Sequence, residues 1–175
     1  MRRNRWRPRL PGGPADPVLR SWLVEPGSLT ARCQRNARRF RIRLLGGDVG
    51  RGLADEGVRD GRSPVRVREV ALECDGVPVI FAHTTLSTAP GGRLSRWMTR
   101  LGERSLGSLL FAHPGFARGP IEFLRLDARH PLYRRAARLL PVGGVLWARR
   151  SLHRLGGQRV LVTEVFLPPI SRLRN

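Results

Sequence analysis

Strict alternation of apolar and polar residues marks several extended segments of the chain. Residues 40–45 alternate apolar side chains with arginines, which predicts a strand with one solvated face. Residues 65–74 and 77–87 are two further extended runs, and the Asp75-Gly76 pair between them is typical of a β-hairpin turn. Residues 121–126 predict a short additional strand.

The C-terminal part of the chain predicts a second hairpin. Residues 144–155 and 159–167 are extended, and Gly156-Gly157 turns the chain between them. The run from 159 to 167 is apolar on both faces, so it suits the middle of a sheet.

Helical patterns are separated from these strands along the chain. They are predicted at residues 18–24, 29–37, 94–101, 105–111 and 132–140. Ser28 is a good N-cap for the second helix, and Pro141 ends the last one. The polar, Gly-rich residues 46–64 predict a long loop. Because two hairpins and separate helices occur without β-α-β alternation, we expect an α+β fold with a single antiparallel sheet.

The domain organisation follows from length and composition. A chain of 175 residues fits one domain. Residues 1–17 are rich in Arg, Pro and Gly and are expected to form a flexible N-terminal segment, followed by one domain over residues 18–175. The N-terminal arginines are not followed by an apolar signal segment, and no apolar run approaches the roughly 20 residues needed to cross a bilayer. We therefore expect a cytoplasmic protein without a membrane span.

The formal net charge of +20 raises the question of a polyanionic partner. All 33 basic residues are arginine, although phosphate contacts accept both arginine and lysine, so compositional bias explains the charge better than a phosphate-binding surface. Aromatic residues make up only 6% of the chain and form no stacking pattern with the arginines. We expect a monomer without a specific nucleic-acid partner.

Candidate metal and cofactor ligands are scattered. Cys33 and Cys74 are far apart, form no CxxC pair and suit the role of small buried apolar residues. The 4 histidines show no ligand spacing and are expected to be structural. Without a Gly-rich phosphate loop, no nucleotide cofactor is expected either. We therefore expect neither a metal nor another cofactor.

Glu164 lies inside the most apolar strand of the chain, between Thr163 and Val165. A carboxylate in such a run is expected to be desolvated, so it needs a partner or stays protonated with a raised pKa. The pattern leaves two roles open, a functional carboxylate and one half of a structural salt bridge.

Arg68 shares a predicted strand face with Arg66, Val70 and Leu72. A buried guanidinium is well suited to bind a carboxylate through two parallel hydrogen bonds. A solvated arginine near the strand end is the alternative, and the pattern alone favours it.

Four groups of motifs, taken together, resemble the chorismate lyase family. Residues 68–78 read Arg-Glu-Val-Ala-Leu-Glu-Cys-Asp-Gly-Val-Pro, which is similar to the family's first hairpin. The remaining matches, in the family's order, are Trp22-Leu23 with Ser28-Leu29-Thr30, Leu101-Gly102 with Ser105-Leu106-Gly107 and Leu110-Phe111, and residues 147–151 with Gly157 and residues 161–168. Together the motifs span residues 22–168, nearly the whole chain.

The resemblance implies an activity and a set of site residues. It implies a cofactor-independent lyase that converts chorismate to 4-hydroxybenzoate and pyruvate, a first step toward ubiquinone or a related phenolic product. It also implies helical flaps that cover a buried pocket on the sheet. Arg68 would bind the ring carboxylate together with the backbone amide of Leu106, and Glu164 would meet the hydroxyl. Leu29, where the family often has Met, would cover the pocket, a swap that conserves volume.

Some segments depart from the family pattern. Ala82-His83-Thr84 stands where an arginine is expected near the pocket rim, and Arg118-Gly119-Pro120 and residues 128–143 also differ. These departures put contacts at the rim in doubt, but not those of Arg68, Leu106 and Glu164.

The resemblance leaves two alternatives. Effector domains of some transcription regulators are similar in fold to chorismate lyase, and such a domain would bind a small aromatic carboxylate without converting it. Against this, residues 1–17 are too short for a DNA-binding helix-turn-helix. A catalytically idle relative is the other alternative, and the presence of Arg68 and Glu164 argues against it.

Overall fold

A computed structural model describes residues 5–10, 12–56, 64–86, 93–107, 110, 115–155 and 157–173. Its architecture is α+β with one antiparallel sheet of seven strands, as the sequence predicted. The strands are β1 (Phe40–Arg51), β2 (Pro64–Cys74), β3 (Val77–Leu86), β4 (Ala117–Arg118), β5 (Glu122–Leu126), β6 (Leu146–Leu155) and β7 (Gln158–Phe166). The helices are α1 (Pro17–Leu23), α2 (Leu29–Asn36), α3 (Arg93–Arg100) and α4 (Pro131–Ala136), with a 3-10 helix at Pro168–Arg172.

The strand order in the sheet is β1-β2-β3-β7-β6-β4, and β5 also pairs with β6. The strand β7 lies between β3 and β6, in the middle of the sheet. This position explains why its sequence is apolar on both faces. The pairing of β3 with β7 joins the two hairpins that the sequence predicts into one sheet.

Local sequence signals set the first hairpin and the first two helices. Asp75 and Gly76 have φ angles of 51° and 83°, the two positive values that a type I′ hairpin turn requires. Ser28 caps α2 because its Oγ accepts a hydrogen bond of 3.3 Å from the amide of Ala31. Asp16 caps α1 in the same way through the amide of Val18, at 2.8 Å.

Two predicted boundaries are wrong. The first strand continues through the Gly-rich residues to Arg51, because β2 supplies main-chain partners from Glu69 to Pro64 beyond a bulge after Leu44. The last helix ends at Ala136 rather than at residue 140, because the amides of Arg138 and Leu139 bond to carbonyls three positions back in tight turns. Three predicted features lie partly or wholly outside the described residues. They are the helix at 105–111, the end of the loop at 46–64 and the turn residue Gly156.

Helices cover both faces of the sheet. The first apolar cluster joins α1 and α2 to one face and includes Trp22, Leu23, Leu29, Cys33, Val70 and Phe166. The second packs α4 on the opposite face and includes Phe81, Leu124, Leu132, Tyr133, Ala136 and Val165. The third packs α3 against the C-terminal end of β3 and the N-terminal end of β7. It includes Leu86, Leu94, Met98, Leu101 and Val160.

The described part of the N-terminal segment is attached to the sheet. The backbone of Arg7 exchanges two hydrogen bonds with Phe123, at 3.0 and 2.8 Å. Trp6 donates from Nε1 to Asp55 at 2.8 Å. The guanidinium of Arg150 lies 4.5 Å from the centre of the Trp6 ring. These contacts join residues far apart along the chain, so local composition did not predict them.

No described helix is both long and apolar enough to cross a membrane.

Candidate functional site

A cavity lies between one face of the sheet and a cover formed by α2 and the segment around Leu106. The register of the strands places its floor in two rows that run across four strands. One row consists of Val70, Ala82, Glu164 and Arg149, and the next consists of Arg68, Thr84, Val162 and Ser151. All these residues line the cavity, because side chains alternate between the two faces of each strand.

Arg68 is the buried cation on the β2 side of the cavity. Only 4% of its surface is exposed, and its Nη2 donates to the carbonyls of Gly102 and Arg104 at 2.8 and 2.9 Å. Its Nε is buried and has no hydrogen-bond partner among the described residues. Burial lowers the pKa of Arg68, which still carries its charge at neutral pH. A buried guanidinium with an unused donor requires an anionic or polar ligand to offset its desolvation.

Glu164 lies on β7 in the middle of the floor and pairs with Arg149 on β6. Arg149 Nε donates to Glu164 Oε2 at 2.7 Å, and only 2% of the Arg149 side chain is exposed. Arg149 also donates to the carbonyls of Leu23 and Glu25, which precede α2. Glu164 therefore lines the cavity and is also one half of an ion pair with the buried Arg149, the structural role that its sequence left open.

Three further polar side chains line the β4–β6 side. Arg118 on β4 donates from Nε to Ser151 Oγ at 3.2 Å and from Nη1 to the carbonyl of Pro26. Ser151 Oγ also lies 3.3 Å from His153 Nε2. Burial, assisted by the positive charge of Arg118, lowers the pKa of His153 to about 4, so this imidazole is neutral at pH 7.

The cover of the cavity is apolar at its centre and hydrogen-bonded at its edge. Leu29 on α2 and Leu106 are only 2% and 5% exposed, and both line the cavity. Ser105 donates to the hydroxyl of Thr30 at 3.0 Å, which joins α2 to the segment before Leu106. This arrangement shields the floor from water and strengthens the electrostatic interactions there.

The four site residues predicted from the sequence, Arg68, Glu164, Leu106 and Leu29, all lie in this one cavity. The sequence interpretation missed Arg118, Arg149, Ser151 and His153. Arg149, Ser151 and His153 occupy alternate positions of one strand, a polar stripe that could have indicated a wet face next to Glu164.

The segment at residues 82–84 divides between the two faces of β3. Ala82 and Thr84 line the cavity, whereas His83 points to the opposite face. His83 is 1% exposed, and its ring nitrogens lie 2.8 Å from Glu69 and 3.0 Å from Glu56. This histidine therefore does not replace a rim arginine of the cavity.

The fold and the cavity define a class of protein, an α+β domain that encloses a small, cationic pocket on one face of an antiparallel sheet. Of the charged residues lining it, three are arginines and one is a glutamate. A profile of the family described as chorismate lyase matches residues 6–174. The chain therefore belongs to the chorismate lyase family, as the ordered motifs predicted.

Similar proteins support this membership. A protein of Dechloromonas aromatica named probable chorismate pyruvate-lyase is 68% identical over 99% of this chain and 100% of its own. A protein of Cupriavidus pinatubonensis with the same name is 42% identical over 97% of this chain and 91% of its own. The prediction of a lyase is thus confirmed at the level of the family.

A solved structure shows the same fold at low identity. The effector domain of PhnF from Mycobacterium smegmatis superposes with a TM-score of 0.54 at 18% identity, covering 83% of this chain and 91% of that domain. This likeness concerns the fold alone.

Proposed function

We propose that this protein converts chorismate to 4-hydroxybenzoate and pyruvate in the cavity. Arg68 binds the carboxylate on the ring, the backbone amide of Leu106 meets the same group, and Glu164 meets the ring hydroxyl. Leu29 closes the pocket from above. The observation that carries this proposal is the buried Arg68, which lines the cavity and whose Nε has no described hydrogen-bond partner, in a chain of the chorismate lyase family.

The reaction requires little covalent chemistry from the protein. The bond between ring carbon 3 and the ether oxygen breaks, and its electrons leave with the enolpyruvyl group. The proton on ring carbon 4 is lost, its bonding electrons complete the aromatic ring, and the released enolate takes up a proton on its methylene carbon to become pyruvate. Because aromatisation drives the elimination, the protein contributes mainly by holding one conformer and stabilising charge.

Arg149 supports this chemistry by holding Glu164. Its hydrogen bond fixes one carboxylate oxygen of Glu164. The second oxygen of the glutamate remains available to accept a hydrogen bond from the ring hydroxyl. Glu164 then orients the substrate and assists the movement of a proton.

The test is to incubate the purified protein with chorismate and to quantify both products by chromatography. We expect equimolar 4-hydroxybenzoate and pyruvate without added metal or nucleotide. Folded protein that binds 4-hydroxybenzoate but releases no pyruvate would instead indicate a sensing domain or an idle relative. Activity that a chelator abolishes and a metal restores would contradict the cofactor-independent part of the proposal.

The proposal extends to partners and location. We propose a cytoplasmic monomer that supplies 4-hydroxybenzoate toward ubiquinone or a related phenolic product, and that has no sequence-specific nucleic-acid partner. Weak duplex DNA binding without sequence preference is expected, because the positive charge comes from arginines that are spread along the chain. Nanomolar, sequence-selective DNA binding, or a dimeric mass by light scattering, would contradict this part.

A further inference from the structure

Arg118 is a second cation at the side of the cavity opposite Arg68. The two arginines lie on β4 and β2, and the strands β3, β7 and β6 separate them. With neighbouring strands about 4.8 Å apart, the two backbones are about 19 Å apart across the sheet. Both side chains nevertheless line one cavity, so each reaches into it from its own side.

The surroundings of Arg118 prepare it to bind an anion. Its contacts with Ser151 and with the carbonyl of Pro26 hold the guanidinium in place. Burial lowers its pKa and the neighbouring charge of Arg149 lowers it further, whereas Glu164 raises it. The neutral His153 next to it adds no competing charge.

The charges of the cavity match those of a dianion. Arg149 and Glu164 form an ion pair whose charges cancel. Three arginines and one glutamate are the charged residues that line the described part of the cavity, so its formal net charge is +2. Chorismate carries two carboxylates, whereas 4-hydroxybenzoate carries one.

We propose that Arg118 binds the carboxylate of the enolpyruvyl group of chorismate, and that it forms, with Ser151 and His153, the part of the site that holds the leaving pyruvate. This inference rests on the proposed function. On the ring, the carbon bearing the hydroxyl neighbours the carbon bearing the enolpyruvyl ether, and both are remote from the ring carboxylate. If Arg68 holds the ring carboxylate and Glu164 the hydroxyl, the enolpyruvyl group lies beside Glu164 and away from Arg68, where Arg118 enters the cavity.

Arg149 is less suited to this task than Arg118. It is 2% exposed and already engaged with Glu164 and with two main-chain carbonyls. The electrostatic attraction between Arg118 and the substrate also increases during the reaction. When the ether bond breaks, the leaving group develops enolate charge, and a nearby cation stabilises that charge more than it stabilises the intact ether.

The test compares two ligands that differ in the second carboxylate. Arg118→Gln is expected to lower kcat/KM for chorismate by about 30-fold or more, because a charge-assisted contact inside the cavity is lost. The same variant should keep the inhibition constant of 4-hydroxybenzoate within about threefold, because that ligand has no enolpyruvyl carboxylate. Arg118→Lys retains the charge without the planar fork and should recover part of the activity.

Arg41→Gln is a matched control, because it also removes one positive charge but lies on the exposed side of β1 in a pair with Glu103. Its kcat/KM should remain near that of the unmodified protein. If Arg118→Gln is poorly folded by thermal melt, Arg118→Lys carries the comparison of the two ligands.

Two results would overturn the assignment of Arg118. One is an equal loss of chorismate turnover and 4-hydroxybenzoate binding, which would show that Arg118 shapes the whole pocket. The other is unchanged kcat/KM in the variants. Failure of the unmodified protein to release pyruvate is a separate result, which removes the proposed function itself.

Discussion

Two groups of buried and half-buried charged residues lie on opposite faces of the same sheet, and adjacent residues of the same strand contribute to them. The cavity cluster consists of Arg68, Arg118, Arg149 and Glu164. The rear cluster consists of Glu56, Glu69, His83 and Arg135. Arg68 and Glu69 follow each other on β2, so the alternation of the strand alone sends one to each cluster.

The rear cluster is balanced. Glu69 lies 2.8 Å from His83 and 2.5 Å from Arg135, and Glu56 lies 3.0 Å from the other ring nitrogen of His83. Burial alone would lower the pKa of His83, but its contacts with Glu56 and Glu69 outweigh burial and raise it. When His83 is protonated, two carboxylates face two cations.

The cavity cluster is not balanced. Among the described residues, its lining has three arginines for one carboxylate. Burying charge is costly unless the charge is paired, so a protein retains an unbalanced cluster at a cost to its stability. The comparison of the two clusters shows that buried charge alone does not identify a ligand-binding site. A cavity whose charged lining residues are mostly of one sign is the stronger indication of a binding site.

The largest expected effect is on the binding of 4-hydroxybenzoate, which should depend on an arginine of the cavity cluster and not on one of the rear cluster. Arg68→Ala should raise the Kd of 4-hydroxybenzoate by about 30- to 4,000-fold, equivalent to about 2–5 kcal/mol, and Arg68→Lys should recover little. Arg135→Ala in the rear cluster should leave this Kd unchanged and lower the melting temperature. Isothermal calorimetry and thermal melts check both. Near-normal binding by Arg68→Ala would show that another residue holds the carboxylate.

The next effect concerns Glu164, where binding and stability overlap. Glu164→Gln should lower turnover by about 100- to 10,000-fold if the carboxylate assists proton transfer. It should also lower the free energy of unfolding by about 1–2 kcal/mol, because Arg149 loses its ionised partner but keeps its two carbonyl acceptors. A turnover assay and urea denaturation on one preparation separate the two effects. Destabilisation with intact turnover in the folded fraction would make Glu164 purely structural.

A smaller effect on stability alone is expected from the rear cluster. Glu69→Gln removes the ionised partner of His83 and Arg135 and should lower the free energy of unfolding by about 1–3 kcal/mol. Turnover should stay within about twofold of the unmodified protein. Glu103→Gln breaks an exposed pair with Arg41 and serves as the control, with an expected cost below about 1 kcal/mol. A loss of turnover without loss of stability in Glu69→Gln would contradict a structural role.

The smallest effect is a dependence of stability on pH. Because the pKa of His83 is raised in the folded state, its contribution is fully present below the unfolded value of about 6.5 and is lost as pH rises through the folded value. The difference in free energy of unfolding between the unmodified protein and His83→Gln should therefore shrink from pH 5.5 toward pH 9, a range set by about one unit below and more than two above that unfolded value. Urea titrations across this range measure it. A difference that is constant or grows with pH would show that His83 is not a protonated partner of the two glutamates.

Much of the local structure was determined by the sequence alone. Alternation of apolar and polar residues predicts the strands and which side chains share a face, and Asp75-Gly76 predicts the first hairpin turn. Ser28 predicts the start of α2. These signals act over a few residues, where backbone geometry and side-chain periodicity decide the outcome. The ordered motifs added the family and, through it, Arg68, Leu106, Glu164 and Leu29.

Tertiary structure alone decided what surrounds these residues. Arg118 reaches the cavity because β4 pairs with the far side of β6, and Arg149 meets Glu164 through the register of the second hairpin. His83 turns away from the cavity and finds Glu56 and Arg135, which belong to other parts of the chain. The pattern along one strand specifies its faces but not its neighbours. Which strand becomes a neighbour depends on contacts between residues distant in sequence, and these contacts form only when the whole sheet assembles.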